Sequence, residues 1–405
     1  MKTQLAALLF CTVSLTAGAV QPITPVLVDD NVIGYATFQS HNQKLVSNGH
    51  GYFMAYVRTR NEAYTAQQWR LVQSVDEGQT WTTLHEETSA TNPPVIETDA
   101  EDNLYLVRPD FKDGHAYLYR FLAEKEYKEP VITRIDNGAA GKYGMAIDLS
   151  RKLLYYASHN GFFAITGLDG TLKQSSLVLV PGPNAQQQYP LLALGADGVL
   201  HFAYTTVKND AYLYWDIHYL RSPDAGGSWQ KFSGEALATP LISDDTGPTD
   251  RLTRDDEFSS HTWLSSMAIH KDKLHFAYLT QSTPAKQNYF RLNAQTGERE
   301  VDVSPKFGGK KLEVMGLDGW FASDGETLFY TSGFGGKITS LRSTDNGETW
   351  KDHAQSEATY NTYSISGCRT VTAGGKIIGA FTDQRKEPEI SKLYFISQLV
   401  ADAQP

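Results

Sequence analysis

The chain writes Ser-x-Asp-x-Gly-x-(Ser/Thr)-Trp three times: "SVDEGQTW" at 74–81, "SPDAGGSW" at 222–229 and "STDNGETW" at 343–350. Such an octapeptide makes a tight turn. Its Asp accepts hydrogen bonds from turn N–H groups, and its Gly tolerates the positive φ that a hairpin demands. The Ser or Thr cross-links the turn, and the Trp is expected to fill the apolar space beneath it. A recurring turn implies a recurring supersecondary unit, and the flanking sequence agrees. "QWRLVQS", "DIHYLRS" and "KITSLRS" run straight into the three motifs. "YFMAYV" at 52–57 and "LHFAY" at 200–204 and 274–278 each stand one strand earlier in their units. Short period-two runs rich in Tyr, Phe, Val, Leu and Thr replace long amphipathic helices throughout. The class is therefore all-β: a sandwich, a barrel or a propeller.

The repeated turn resembles the Asp-box of sialidase-like β-propellers, where it joins the third and fourth strands of a blade. The spacing from Ser74 to Ser222 is 148 residues and from Ser222 to Ser343 it is 121. At roughly 40–60 residues per four-stranded blade, these gaps hold three blades and two. Degenerate turns at 166–172 and 293–300 fill them. First strands are expected at 42–48, 93–99, 143–149, 190–196, 263–270, 314–323 and 364–373, which makes a seven-bladed β-propeller. The last blade, ending at 393–400, is one strand short. Residues 23–30 are expected to supply that strand and leave no free edge.

"MKTQLAALLFCTVSLTAGAV" has a basic start, an apolar run from Leu5 to Leu15 and a small-residue cleavage site at Ala17-Gly18-Ala19. It reads as a secretory signal peptide, residues 1–19, leaving residues 20–405 as one domain, secreted or periplasmic. Bulky Phe10 argues against a lipid anchor on Cys11. Removal of the leader leaves Cys368 alone, so no intramolecular disulfide is expected. The net charge of −10, spread without like-charge blocks, excludes nucleic acid and anionic membrane as partners. It leaves an anionic substrate open, since local arginines can oppose the global sign.

In a propeller, the entrances of first strands and the exits of second strands share one face. Here the entrances carry His41, Asn92, Tyr143, Tyr189, His261, Trp320, Tyr363 and Arg369. The exits carry Arg58, Arg60, Asn61, Arg108, Asp110, His159, Thr205 and Asp383. Strand alternation favours Arg60 over Arg58 as the one facing the channel. The set is rich in His, Tyr and Arg and poor in carboxylates. His41, in the polar run "SHNQKLV", is the leading catalytic candidate. His201, His275 and His115 read as structural, and Met54, Ala55, Tyr56 and Trp69 as core. No metal-ligand spacing emerges, and no cofactor is expected. "RDDEF" at 254–258 leaves room for a structural divalent cation, while "GFGGK" at 333–337 lacks a phosphate loop's setting.

From His41 to Trp81, and more weakly to the third repeated turn, the chain resembles the BNR-repeat propellers, a group of sialidases and polysaccharide-degrading enzymes. "SHNQKLV" stands where sialidases carry their first arginine, which points away from sialidase activity. His41-Asn42 is similar to the opening of propeller-type ulvan lyases and related rhamnosyl-glucuronate rhamnosidases. That resemblance implies a lyase cleaving a uronic-acid polysaccharide by β-elimination, with a His-dependent rhamnosidase as the alternative. Elimination needs a neutralised uronate carboxylate and a proton carrier rather than two carboxylates. His41, Tyr143 and Tyr189 are the expected catalytic residues. Asn42, Arg60, Arg108, His159, His261, Tyr363 and Arg369 are expected to hold the substrate. A sialidase-like glycosidase, or a non-catalytic glycan binder stacking sugars on Trp320, Tyr363 and Trp263, remains a further reading. The expected partner is an anionic polysaccharide and the expected state a monomer.

Overall fold

The computed structural model describes residues 20–59, 67–88, 90, 92–210, 214–253, 262–280, 286–302, 319–334, 336–384 and 390–401. Among them the one helical element is the 3₁₀ turn Ala123–Lys125; the rest is strand and turn. Antiparallel units follow one another among the described residues: the second, third and fifth are separate four-stranded sheets, the fourth belongs to a six-stranded sheet, the sixth carries an added parallel strand, and the first and seventh share one eight-stranded sheet. The first is Leu45–Asn48, Gly51–Thr59, Gln67–Ser74 and Thr82–Thr88, and the second is Val95–Thr98, Leu104–Asp110, His115–Phe121 and Val131–Ile135. The third is Tyr143–Asp148, Leu153–Ser158, Phe162–Gly167 and Leu172–Leu177. The fourth is Ala185–Leu194, Leu200–Lys208, Tyr214–Ser222 and Trp229–Gln230. The fifth is Thr262–His270, Lys273–Thr280, Lys286–Asn293 and Arg299–Asp302. The sixth is Gly319–Ser323, Leu328–Phe334, Lys337–Ser343 and Lys351–Ser356. The seventh is Thr362–Gly367, Lys376–Gln384 and Ile390–Leu399, to which Val26–Ile33 adds the fourth strand. First strands touch in chain order, and the seventh also touches the first.

The N-terminal strand lies antiparallel to Ile390–Leu399, with Val26 opposite Phe395 and Ile33 opposite Ile390. It starts three residues later than the expected 23–30 because the chain first joins another sheet. Gln21–Ile23 runs parallel to Ala354–Ser356 in the sixth unit. Pro25 has no N–H to continue that ladder, and the chain crosses to the seventh unit there.

The three repeated turns join third to fourth strands in the first, fourth and sixth units, hence the uneven spacing. Their hydrogen bonds superpose atom for atom. In the first, Ser74 Oγ donates to Asp76 Oδ1 (2.8 Å) and accepts from Gly78 N (2.8 Å). Thr80 donates to Asp76 through both N (2.9 Å) and Oγ1 (2.6 Å). Ser222/Asp224/Ser228 and Ser343/Asp345/Thr349 repeat this pattern. The tryptophans do more than fill space beneath their own turns. Each lies edge-on to an aromatic ring from the third strand of the preceding unit. The pairs are Trp81 with Phe395 (5.3 Å), Trp229 with Phe163 (5.2 Å) and Trp350 with Tyr289 (5.2 Å). The turn glycines press on the same rings. A Cβ on Gly78 (φ +90°) would stand 2.1 Å from Phe395 Cε1, and one on Gly347 would stand 1.9 Å from the Tyr289 hydroxyl. The motif therefore rivets one sheet to the one before it. His201 and His275 are buried in second strands and bond Tyr219 (2.6 Å) and Tyr289 (2.8 Å), consistent with structural roles.

Two outcomes test the rivet. Gly78→Ala meets both a positive φ and the Phe395 ring, whereas Gly375→Ala (φ +69°) meets positive φ but nothing within 4 Å. The first is expected to cost about 3 kcal/mol and the second about 1 kcal/mol, measured by urea midpoint. Equal losses would remove the ring contact from the account. The Thr80 hydroxyl and N–H, with Ser74, hold Asp76 down at about 2. Its native pKa lies below the unfolded one, so its contribution is present above about pH 4 and disappears as pH falls through about 2. Asp76→Asn should flatten that acid limb of the urea midpoint.

Candidate active site

Between Ile33 and Leu45 the chain leaves the sheets and crosses over the first strands. The crossing segment, "GYATFQSHNQK" from Gly34 to Lys44, is small and polar. A buried backbone path needs partners for its polar groups, and these side chains supply them. Gln39, in the left-handed region at φ 66°, donates to Gly141 O (2.8 Å) and accepts from Tyr143 N (3.1 Å). Ser40 Oγ donates to Ser265 O (3.1 Å), and Thr37 N donates to Ser364 Oγ (3.2 Å). Gln43 donates to Ile96 O (3.2 Å) and Glu97 (2.9 Å) and accepts from Arg369 N (2.7 Å). Lys44, fully buried, donates to Pro93 O (3.1 Å). The segment is thus fastened to the second, third, fifth and seventh units.

His41 stands in this plug half-buried, and its Nε2 is sealed from solvent without a hydrogen-bond partner. Burial and the nearby charges of Lys44 and Arg369 push it down to about 3, against the backbone of Tyr143, so the imidazole is neutral at physiological pH. Its ring meets Tyr189 edge-on at 6.3 Å. Tyr189 sits where the pairing of the fourth unit's first two strands slips, between Gln188 and Leu191, and it takes φ 49°. That bulge turns the ring inward, into a cluster with Tyr214 (5.5 Å) and Trp263 (4.8 Å). The Tyr189 and Tyr214 hydroxyls are 3.4 Å apart. Above them lies Lys142, its Nζ 4.6 Å from the Tyr189 ring centroid and 5.7 Å from that of Tyr214. It donates to Gln188 Oε1 and to the Tyr214 hydroxyl (3.4 Å). Burial pulls its pKa down to about 8. Among the described residues no carboxylate pairs with it.

Several expected site residues are placed elsewhere. Tyr143 is fully buried, its hydroxyl donating to Pro93 O (2.7 Å), and burial raises its pKa; a base needs the opposite. Asn42 is also buried, its amide spent on Gln39 and the Tyr143 carbonyl. Arg108 turns between the first two units, where it pairs with Glu87 of the first (3.5 Å) and Asp110 of the second (3.2 Å) and bonds the Tyr119 hydroxyl. Arg369 follows the end of its first strand rather than opening it. It is neutralised by Glu97 (3.1 Å) and reaches Met145 O (3.1 Å). Tyr363 lies over Gly34 at the start of the plug. Trp320 is core, jammed between Gly367 and Gly379. Arg60, His261 and the cation candidate at 254–258 lie outside the described residues. Among the described residues no three His, Cys, Asp or Glu side chains cluster as metal ligands.

His159 does reach this face. Lys142 N donates to its Nδ1 (3.1 Å), and burial with the Lys142 charge holds it near 4. Lys142, Gln188 and Tyr214 were not among the expected residues. A signal existed for the lysine: no Asp or Glu occurs between Asp136 and Asp148 to neutralise it locally.

This architecture and polar mouth define a β-propeller of the BNR-repeat type. A family model described as "BNR repeat-containing family member" matches residues 31–298, and the chain belongs to that family. No curated protein matches the sequence. Among solved structures, a polysaccharide lyase family 25 ulvan lyase bound to -[GlcA(1-4)Rha3S]- aligns with TM-score 0.66 at 13% identity, over 93% of this chain and 98% of the other. The polysaccharide lyase Uly1 aligns with TM-score 0.55 at 9% identity, over 94% and 100%. An endosialidase of phage phi92 aligns with TM-score 0.51 at 11% identity, over 95% and 70%. At these identities the likeness is one of fold.

Asn42 provides a check on the plug. Asn42→Ala leaves the Gln39 and Tyr143 acceptors short of a donor inside the protein. It should lower stability by about 1–3 kcal/mol in urea titration. A raised KM at unchanged stability would instead restore Asn42 as a substrate ligand.

Proposed function

We propose that this protein is an exported, monomeric polysaccharide lyase on a closed seven-bladed propeller, cleaving a uronate-containing anionic polysaccharide by β-elimination. Residues 1–19 act as its leader and residues 20–405 as its single domain. The observation that carries the reading is Lys142, a cation on two tyrosine rings with no described carboxylate beside it. Arg58, Arg108 and Arg369 of the same region are each already paired with an acid. A free cation in a site of low polarity suits a substrate carboxylate, whose neutralisation makes the neighbouring C–H acidic. Tyr189 as its phenolate takes the C5 proton and, as the phenol so formed, passes it to the glycosidic oxygen on C4. The C4–O bond breaks as the C4–C5 double bond forms. Neutral His41, edge-on to the Tyr189 ring, holds that ring in position, and His159 contacts the adjoining sugar. Glycoside hydrolysis would ordinarily need two carboxylates, and none pairs with His41, Lys142 or His159 among the described residues. The structural likeness to ulvan lyases, one holding a glucuronate–rhamnose-3-sulfate chain, supports this choice of substrate.

The test is incubation with ulvan while following the ultraviolet absorbance of the unsaturated uronate. Lys142→Gln should lower kcat/KM by about 10²–10³ and Tyr189→Phe should lower kcat by about 10²–10⁴. Activity should fall as pH rises through about 8, where Lys142 loses its proton, and show no histidine limb between pH 5 and 7 because His41 is already neutral. New reducing ends without that absorbance would make the enzyme a hydrolase and overturn elimination.

A further inference from the structure

Next to Lys142 in the chain lies a shallow cradle. Its floor is Gly141, whose carbonyl accepts from Gln39 (2.8 Å) and Asn92 (2.5 Å) and is thereby fixed in place. A Cβ at position 141 would stand 3.8 Å from both Asn92 Nδ2 and His159 Cε1, and 3.9 Å from Phe111 Cζ. Three side chains from three separate segments therefore surround the space above a residue that has none. Phe111 comes from the loop after the second strand of the second unit and is 47% exposed, unusual for an aromatic side chain in this protein. His159 comes from the turn after the second strand of the third unit. His159 Nδ1 lies within hydrogen-bond reach of both Lys142 N (3.1 Å) and Lys142 O (3.3 Å), which leaves Nε2 as the ring's remaining polar atom. Nε2 has no described partner, and the ring stays neutral above about pH 4.

We propose that Gly141, Phe111, His159 and Asn92 form a pyranose-binding subsite beside the reacting uronate, with Phe111 stacking on the sugar face and His159 Nε2 hydrogen-bonding to one of its hydroxyls. The inference rests on reading this face as a polysaccharide cleft. An apolar ring exposed beside fixed neutral donors is the chemistry that holds a sugar, which offers an apolar C–H face and a rim of acceptor oxygens. A neutral imidazole nitrogen can hydrogen-bond a hydroxyl without adding charge beside Lys142. Glycine is required at the floor because any side chain would occupy the ring's place.

The experiment measures binding of a tetrasaccharide of the glucuronate–rhamnose-3-sulfate repeat by calorimetry, beside ulvan cleavage, for the intact protein and three variants. Gly141→Ala puts its methyl at ordinary van der Waals distance from every neighbour, so the free protein is undisturbed. Phe111→Ala removes an exposed ring and should leave the melting temperature unchanged. Each is expected to weaken tetrasaccharide binding about tenfold and raise KM for ulvan by a similar factor, with kcat nearly constant. Phe111→Tyr should restore both. Wild-type affinity and KM in the two variants would overturn the subsite, even if the protein is a lyase. Binding that weakens in both variants without any cleavage by the intact protein would uphold the subsite and discard the lyase reading. Failure of the intact protein to bind the tetrasaccharide would overturn the subsite as well.

Discussion

Eleven residues, Gly34 to Lys44, hold the centre of this molecule. Strand ends from several units meet where this segment runs, and each unpaired carbonyl there would carry a desolvation cost. The crossing segment meets that requirement from one continuous stretch of chain, with amide or hydroxyl donors on Gln39, Ser40, Asn42 and Gln43 and the ammonium of Lys44. The neighbouring side chains answer in kind: Ser364 Oγ donates to Gly34 O (2.9 Å) and Ser366 Oγ to Asn42 O (2.8 Å). Everything at the mouth is referenced to this plug. Gln39 fixes Gly141 and Tyr143, and Lys142 lies on the peptide between them.

The plug also explains the electrostatics. It fills the channel with donors, so the cations beneath it have little water. Lys44 loses much of its tendency to hold a proton, and Glu97, buried between Gln43 and Arg369, is raised by desolvation. Taking an arginine out of water is tolerable only beside an acid, and Arg58 has Asp29, Arg108 has Glu87 and Asp110, and Arg369 has Glu97. These pairs are internal wiring. Lys142 escapes this arrangement because aromatic faces, rather than a carboxylate, offset part of its burial.

The repeated turns, the order of strands and the region of His41 were legible in the sequence, because turn chemistry and period-two alternation are local. The direction of side chains at the strand entrances was not. Tyr143 opens its strand and Tyr189 is the fifth residue of its own; both are buried, but Tyr143 bonds the Pro93 carbonyl while Tyr189 packs on Tyr214 and Trp263. The difference is a bulge between Gln188 and Leu191, where Tyr189 takes a positive φ just ahead of Pro190 and the register shifts. The arginines misled for a related reason: their acids, such as Asp29 for Arg58 and Glu97 for Arg369, are distant in sequence. Pro25 displaced the N-terminal strand by three residues through its missing N–H, a local signal present in the sequence but overlooked.

The pairing of Val26–Ile33 with Ile390–Leu399 carries a consequence for how the chain is made. Val26 and Phe395 are opposite partners from the two extremes of the polypeptide. Closing so long a loop is slow, and no local contact substitutes for it. Until the last ladder strand leaves the ribosome, the seventh unit lacks its third strand and the N-terminal strand lacks its mate. Phe395 is also the ring on which Gly78 and Trp81 rest, so the first unit waits on the same event. The fold is thus committed from its C-terminal end. Synthesis leaves the early strands unsealed, and the arrival of the final strand turns the lock.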